Sequence, residues 1–213
     1  MKNKYVVFRI VRFIVKPIFK LYYNPKIIGK ENIPLKEGII IAGNHKHTFD
    51  QFGIMVSTKR VIHYMAKKEY FDGTHSLFCS HYNPTKIGRM VTKWLVRMSG
   101  CISVDRNIKD TDAMGNAAIA LNEGEAIGLF PEGTRNKTTE LLLPFKFGTV
   151  SLASKTKAYI VPFAITGDYV FRSKNLTIRI GQPFKIDNMS LEEANDKLYN
   201  EIKSLMKENL KEQ

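Results

Sequence analysis

The sequence predicts an α/β fold: a mixed, mostly parallel central sheet flanked by helices, with an N-terminal amphipathic membrane-surface helical arm. Three observations carry this. Short apolar runs of strand length recur along the chain, the first at Gly38-Ile39-Ile40-Ile41-Ala42-Gly43. Helical stretches fall between them, and strands alternating with helices form a mostly parallel sheet. The 213 residues, 44% apolar and 25% charged, suffice for one globular domain with a sizeable core.

The arm comes first. Residues 1–26 hold seven lysines and arginines and no acidic residue. Arg9, Arg12, Lys16 and Lys20 recur at steps of three and four, which places them on one face of a helix. Apolar residues such as Val7, Ile10, Phe13, Ile14 and Ile18 fill the positions between them. A broad apolar face with a narrow cationic stripe suits a bilayer interface, so these four cations are candidate contacts to an anionic membrane surface. The other reading is a helix packed on the domain's own core. Pro17 is expected to kink the helix or divide it. The organisation expected is thus an interfacial arm over 1–26 and a single α/β domain over 27–213.

Within the domain, further strands are expected at 60–66, 101–104, 126–130, 159–165 and 176–180, with helices near 111–122 and 147–157. Asn83 and Pro84 have the character of an N-cap and a first-turn proline. They open a helix with Ile87, Met90, Val91, Trp94, Leu95 and Met98 on one face. Its other face carries Lys86, Arg89, Lys93 and Arg97. Ser190 with Glu193 three residues later is a capping box that opens a C-terminal helix. Leu191, Ala194, Leu198, Ile202, Leu205 and Leu210 give that helix its apolar face.

The net charge of +13 attracts polyanions: anionic lipid, nucleotide-type donors, an acidic carrier protein or nucleic acid. Cys79 and Cys101 form no CxxC pair and no zinc spacing, so reduced structural thiols in a cytosolic compartment are expected. No apolar stretch approaches the ~20 residues of a spanning helix, and no cleavable leader is visible. The expected location is peripheral, at the cytoplasmic face of the cell membrane.

Chemistry concentrates in three stretches. Asn44-His45-Lys46-His47-Thr48-Phe49-Asp50 follows directly on the first strand. Within one helix, five residues would turn His45 and Asp50 roughly 140° apart. The pair meets if His45 sits on the strand-end loop and Asp50 on the first turn of the next helix, where catalytic groups collect in open α/β sheets. A histidine suits removal of an alcohol proton at neutral pH, and a carboxylate on its other nitrogen fixes the tautomer. Phe130-Pro131-Glu132-Gly133-Thr134-Arg135 also follows a strand. Its Gly-Thr turn exposes amide groups, and Arg135 offers a planar fork to phosphate oxygens. The third stretch, Gly100-Cys101-Ile102-Ser103-Val104-Asp105-Arg106, is a strand ending in an acid–base pair. Each alone has a plain structural reading: a histidine satisfied by a helix-start carboxylate, an ordinary turn, a salt bridge.

In this order the three stretches resemble the glycerolipid acyltransferase family, in particular its bacterial 1-acylglycerol-3-phosphate acyltransferases. The family's histidine–four residues–aspartate block matches His45 and Asp50. Its Gly-x-Ile-x-Val-Asp-Arg block matches residues 100–106, and its Pro-Glu-Gly-Thr-Arg block matches 131–135. A fourth block, an apolar strand with an internal proline, resembles Ile160-Val161-Pro162-Phe163-Ala164-Ile165. The resemblance runs from about residue 38 to 183. It implies a fatty acyl transfer from acyl-CoA or acyl carrier protein to the free hydroxyl of a lysophospholipid acceptor, 1-acyl-sn-glycerol-3-phosphate, giving phosphatidate. His45 would be the base and Asp50 its orienting partner. Arg106 and Arg135 would hold the acceptor phosphate, in a pocket shaped by Glu132, Gly133 and Thr134. No metal and no bound cofactor are implied. His47 departs from the pattern, since serine is frequent at that position, and it opens the possibility of competition for Asp50.

Other classes share parts of this pattern. Another lysolipid or glycerol phosphate is an alternative acceptor. His45, His47 and Asp50 also suggest a metal-dependent hydrolase, with His63, His75 or His81 completing a site. A nucleic-acid module fits the charge, yet no such motif is present and the basic residues lie on apolar helices. A catalytically silent membrane tether is at odds with the intact motif residues.

Overall fold

The computed structural model describes residues 5–75, 85–105, 107–108, 110–173 and 175–211. Among them, seven strands build one sheet: β1 (Lys26–Ile28), β2 (Ile39–Gly43), β3 (Ile62–Lys67), β4 (Ile102–Val104), β5 (Ala126–Leu129), β6 (Tyr159–Thr166) and β7 (Thr177–Ile180). Their spatial order is β1-β7-β6-β2-β5-β3-β4. Strands β6, β2, β5, β3 and β4 run parallel; β7 pairs antiparallel with β6 and parallel with β1. The mixed, mostly parallel sheet is the one the alternating pattern predicts.

Seven helices accompany it: α1 (Val6–Tyr23), α2 (Asp50–Ser57), α3 (Lys68–Asp72), α4 (Lys86–Met98), α5 (Thr111–Asn122), α6 (Gly148–Thr156) and α7 (Leu191–Lys211). The sheet divides the core in two. On one face Ile40, Ala42, Ile127, Ile160 and Ala164 meet α5, α6 and α7. On the other, Ile39, Ile41, Val161, Phe163 and Ile178 meet α1 and α2. This odd–even division along β2 and β6 is the period-two alternation of a strand covered on both faces, hence the unbroken apolar runs.

Several boundaries depart from the sequence reading. Arg60 and Val61 precede β3, and the Arg60 guanidinium donates instead to the carbonyls of Pro34 (2.8 Å) and Glu37 (2.6 Å). Strand β1 and helix α3 are too short, at 3 and 5 residues, to show a period in sequence. Helix α4 is capped by Thr85, whose hydroxyl accepts from the Gly88 amide at 3.1 Å; Asn83 and Pro84 lie outside the described residues. The capping box of α7 forms as read: the Ser190 amide donates to Glu193 Oε2 (2.8 Å) and the Glu193 amide to Ser190 Oγ (3.1 Å). Leu210 is exposed, and Met206 takes a buried place on that helix.

Pro162 sits inside β6, where a missing N–H would normally leave a gap in the ladder. A residue's N–H and C=O point to the same side of a strand. The Pro162 carbonyl accepts from the Gly181 amide (2.8 Å), just past the end of β7. The absent donor thus faces the end of β7, where the regular ladder breaks before the Ile160–Phe184 bridge, and not β2.

Helix α1 is one continuous helix through Pro17. Phe8 and Phe19 are buried in the core, alongside partly buried Val11, Val15 and Tyr23. Val6, Ile10, Phe13, Ile14, Ile18 and Leu21 remain exposed on another sector. Arg9, Lys16 and Lys20 are exposed, whereas Arg12 turns inward and donates to the Thr58 carbonyl at 3.2 Å. Two apolar sectors explain why the apolar face of this helix is broader than a core stripe. No helix among the described residues is long and apolar enough to cross a membrane.

Candidate active site

Strand β2 lies between β6 and β5, and the carboxyl ends of these three neighbours build the site. Gly43 ends β2; a Cβ there would collide with the Phe163 carbonyl and ring, so only glycine lets β2 and β6 approach this closely. Asn44 follows, buried, and its amide makes a two-way clasp with Ile165, donating to its carbonyl (2.8 Å) and accepting from its N–H (2.8 Å). His45 is thereby held at the mouth of the strand end.

His45 Nδ1 stands 2.9 Å from Asp50 Oδ2, with the imidazole 18% exposed and the carboxylate 1% exposed. Asp50 is the first residue of α2, at the positive end of its dipole. The chain wraps its carboxylate: the amides of Lys46 and His47 both donate to Oδ2 at 2.8 Å. The other oxygen, Oδ1, accepts from the Tyr169 hydroxyl at 2.7 Å. Burial first, and then the charge of Asp50, pushes the Tyr169 phenol far above its ordinary range, so it remains a donor. Placed by these donors, the Asp50 carboxylate accepts a hydrogen bond from Nδ1–H of a neutral imidazole and leaves the lone pair on Nε2.

From β5 comes the wall behind the ring. Phe130 stacks on His45 with centroids 4.0 Å apart and planes 15° apart. Glu132 is buried rather than turned to the opening. Its Oε1 accepts from the His45 amide (2.8 Å) and its Oε2 from the Leu143 amide (2.9 Å). Burial raises the Glu132 carboxyl above its usual range, against the pull of those two amides and of His45. The Asn136 amide returns to the His45 carbonyl at 2.7 Å. Both hydrogen-bonding groups of the His45 backbone are therefore held by the 132–136 loop.

Gly133 has φ of +70°, and a Cβ there would come within 2.9 Å of Lys146 Cε. Lys146 is exposed and lies across this turn, adding a second cation to the loop. Thr134 is exposed. Arg135 reaches back to the histidine loop, its Nη1 donating to Thr48 Oγ1 at 2.6 Å. The structure thus brings together His45, Asp50, Glu132, Gly133, Thr134 and Arg135. Arg106 lies outside the described residues. Strand β4, which leads toward it, is three places from β2. Asp105, its sequence neighbour, stands 3.6 Å from Lys68 Nζ.

His47 does not contest Asp50 with its ring. The imidazole stacks on Tyr169 (4.5 Å, 24°) and accepts from the Phe49 amide at 3.3 Å. His63 is engaged elsewhere, its Nδ1 2.6 Å from the Gly100 carbonyl; His75 packs by Tyr70, and His81 lies outside the described residues. Among the described residues, no three His, Cys, Asp or Glu side chains gather as a possible metal site.

Four participants escaped the sequence reading: Tyr169, Phe130 as a stacking wall, Asn44 and Lys146. Asn44 and Phe130 adjoin motif residues, and adjacency was the available signal. Tyr169 is 119 residues from Asp50 and in no motif, so only the pairing of β2 with β6 reveals it.

Comparison with known proteins places the chain in a family. The model of the acyltransferase family matches residues 24–166, which span all of the site's motif loops. The 1-acyl-sn-glycerol-3-phosphate acyltransferase of Bacillus subtilis is 30% identical over 177 residues, covering 79% of this chain and 78% of that protein. The enzyme of the same name from Saccharomyces cerevisiae is 28% identical over 208 residues, 88% of this chain and 60% of its own. The crystal structure of the 1-acyl-sn-glycerophosphate acyltransferase PlsC from Thermotoga maritima superposes with a TM-score of 0.71 at 22% identity, covering 97% of this chain and 80% of that one, and shares the fold. With the match extending over well over half of its length, the chain belongs to the acyltransferase family.

Proposed function

We propose that the protein transfers a fatty acyl group from an acyl thioester, acyl-CoA or acyl carrier protein, to the free hydroxyl of 1-acyl-sn-glycerol-3-phosphate, giving phosphatidate. The observation that carries this is the 2.9 Å contact between His45 Nδ1 and the buried Asp50 carboxylate, with Arg135 on the facing loop. His45 Nε2 takes the proton of the acceptor hydroxyl as its oxygen attacks the thioester carbonyl. The tetrahedral intermediate collapses with cleavage of the C–S bond, and the imidazolium returns its proton to the departing thiolate. Asp50 stabilises the imidazolium between these steps. General-base assistance is worth about 10²–10⁴ in rate, so positioning of the two substrates supplies the remainder. Phe130 keeps water from one side of the ring.

The acceptor phosphate is assigned to Arg135, Thr134 and the Gly133 turn, with Arg106 contributing as the family's pattern implies. Glu132 supports this pocket from beneath, through the His45 and Leu143 amides. The chemistry calls for no metal and no bound cofactor. The acceptor is a lipid, and the exposed apolar sector of α1, flanked by Arg9, Lys16 and Lys20, suits a peripheral seat on the cytoplasmic face of the cell membrane.

The test is transfer of labelled acyl groups from acyl-CoA and from acyl carrier protein to a panel of lysolipids and glycerol phosphate, alongside His45→Ala. Transfer to lysophosphatidate that His45→Ala abolishes, with its circular dichroism retained, is the expected result. Unchanged turnover in the variant removes His45 as the base.

A further inference from the structure

Helix α4 carries three sectors at the 100° step of an α-helix. Thr92 and Val96 are buried. Lys86, Arg89, Lys93 and Arg97 form a second sector, and Arg97 Nη2 donates to the Phe71 carbonyl at 3.2 Å. The third is apolar and uncovered: Ile87 is 70% exposed, Met90 66%, Val91 37%, Trp94 54% and Met98 47%. Scattered exposed apolar side chains are ordinary, but five on one stripe are not. The sequence gives the helix an apolar face without saying what it faces; the structure turns that face away from the core.

We infer that α4 is a second membrane-docking element, whose Ile87–Met90–Trp94–Met98 stripe lies among lipid acyl chains with its cations at anionic headgroups. Charge complementarity selects the occupant, because residues 86–98 contain four cations and no acidic residue. Continuity supports it: α4 packs against α1, whose own uncovered sector has the same make-up. Trp94 sits mid-stripe, and an indole, apolar with one polar N–H, is favoured at the headgroup boundary. The inference rests on the interfacial seat proposed above and adds a second helix to it. Two docking helices fix the rotation of the protein on the surface, which one helix leaves free.

Trp94 is the one tryptophan of the chain, so its emission reports on α4 alone. The full-length protein is titrated with vesicles of one part phosphatidylglycerol to two parts phosphatidylcholine, with co-sedimentation measured in parallel. The expected result is a blue shift of Trp94 emission, quenching by brominated acyl chains, and a weaker response to pure phosphatidylcholine. Ile87→Ser with Met90→Ser keeps the reporter and should weaken vesicle partitioning about 10-fold or more. Co-sedimentation without any change in Trp94 emission overturns the role of α4 while leaving that of α1. Loss of co-sedimentation altogether overturns both. A blue shift that follows protein concentration without vesicles assigns the stripe to a second copy of the chain and likewise overturns the inference.

Discussion

Tyr169→Phe removes one hydroxyl and leaves the ring that stacks on His47. The hydroxyl donates at 2.7 Å to an Asp50 carboxylate that is 1% exposed, so water is not at hand to replace it. A hydrogen bond to a charged group contributes about 1.5–3 kcal/mol. For a protein of this size, each kcal/mol lowers Tm by about 2–4 °C, so a loss of roughly 3–12 °C is expected. The consequence for turnover is smaller than full loss of Asp50, because three donors still hold Oδ2. The carboxylate gains freedom to rotate about that anchored oxygen, and a misalignment worth 1–2 kcal/mol gives about a 5- to 30-fold fall in kcat. KM for both substrates should stay within about twofold, since Tyr169 acts through Asp50 and not on a substrate. The assay is steady-state acyl transfer with both substrates varied, beside a thermal melt. A lowered Tm with unchanged kcat would refute the reasoning and leave Tyr169 a purely structural residue.

Asp50→Asn keeps the shape but not the charge; at 2.9 Å and an effective dielectric near 20 the pair attracts by about 6 kcal/mol, and kcat should fall about 10²–10⁴-fold. A loss below tenfold in the same assay would mean that imidazolium stabilisation is not what Asp50 supplies. Glu132→Gln presents an amide donor to one of two backbone donors, at His45 or Leu143, and should cost about 1–3 kcal/mol in denaturant unfolding; unchanged stability would refute the bracing role. The Cys101 thiol is pushed up to about 11 by burial, from an ordinary 9.0. The folded state therefore holds its proton longer than the unfolded chain. Its contribution to stability is intact below pH 9 and lost as pH rises from 9 to about 11. Mass spectrometry of the Cys101 peptide after brief alkylation at pH 8 should show little modification until denaturant is added; rapid labelling of the native protein would contradict the burial.

Local chemistry was legible wherever it depends on near neighbours. The capping box at Ser190 and Glu193 needs four residues, and the His45–Asp50 turn needs six; both formed as read. The apolar runs located the core strands because burial on both faces removes the polar alternation. Boundaries were less legible at 60–66, where Arg60 is recruited by carbonyls more than twenty residues away.

The sequence by itself determined the core strands other than the short β1, their alternation with helices, and the motif loops that carry imidazole, carboxylate and guanidinium. Those properties follow from side-chain type and spacing. Only the tertiary structure decided that β6 and β5 flank β2. That order brings Tyr169 to Asp50, turns Glu132 inward, and leaves one apolar sector each of α1 and α4 uncovered. Periodicity says that a helix has an apolar face; which face finds the core is set by the neighbours, and these come from distant parts of the chain.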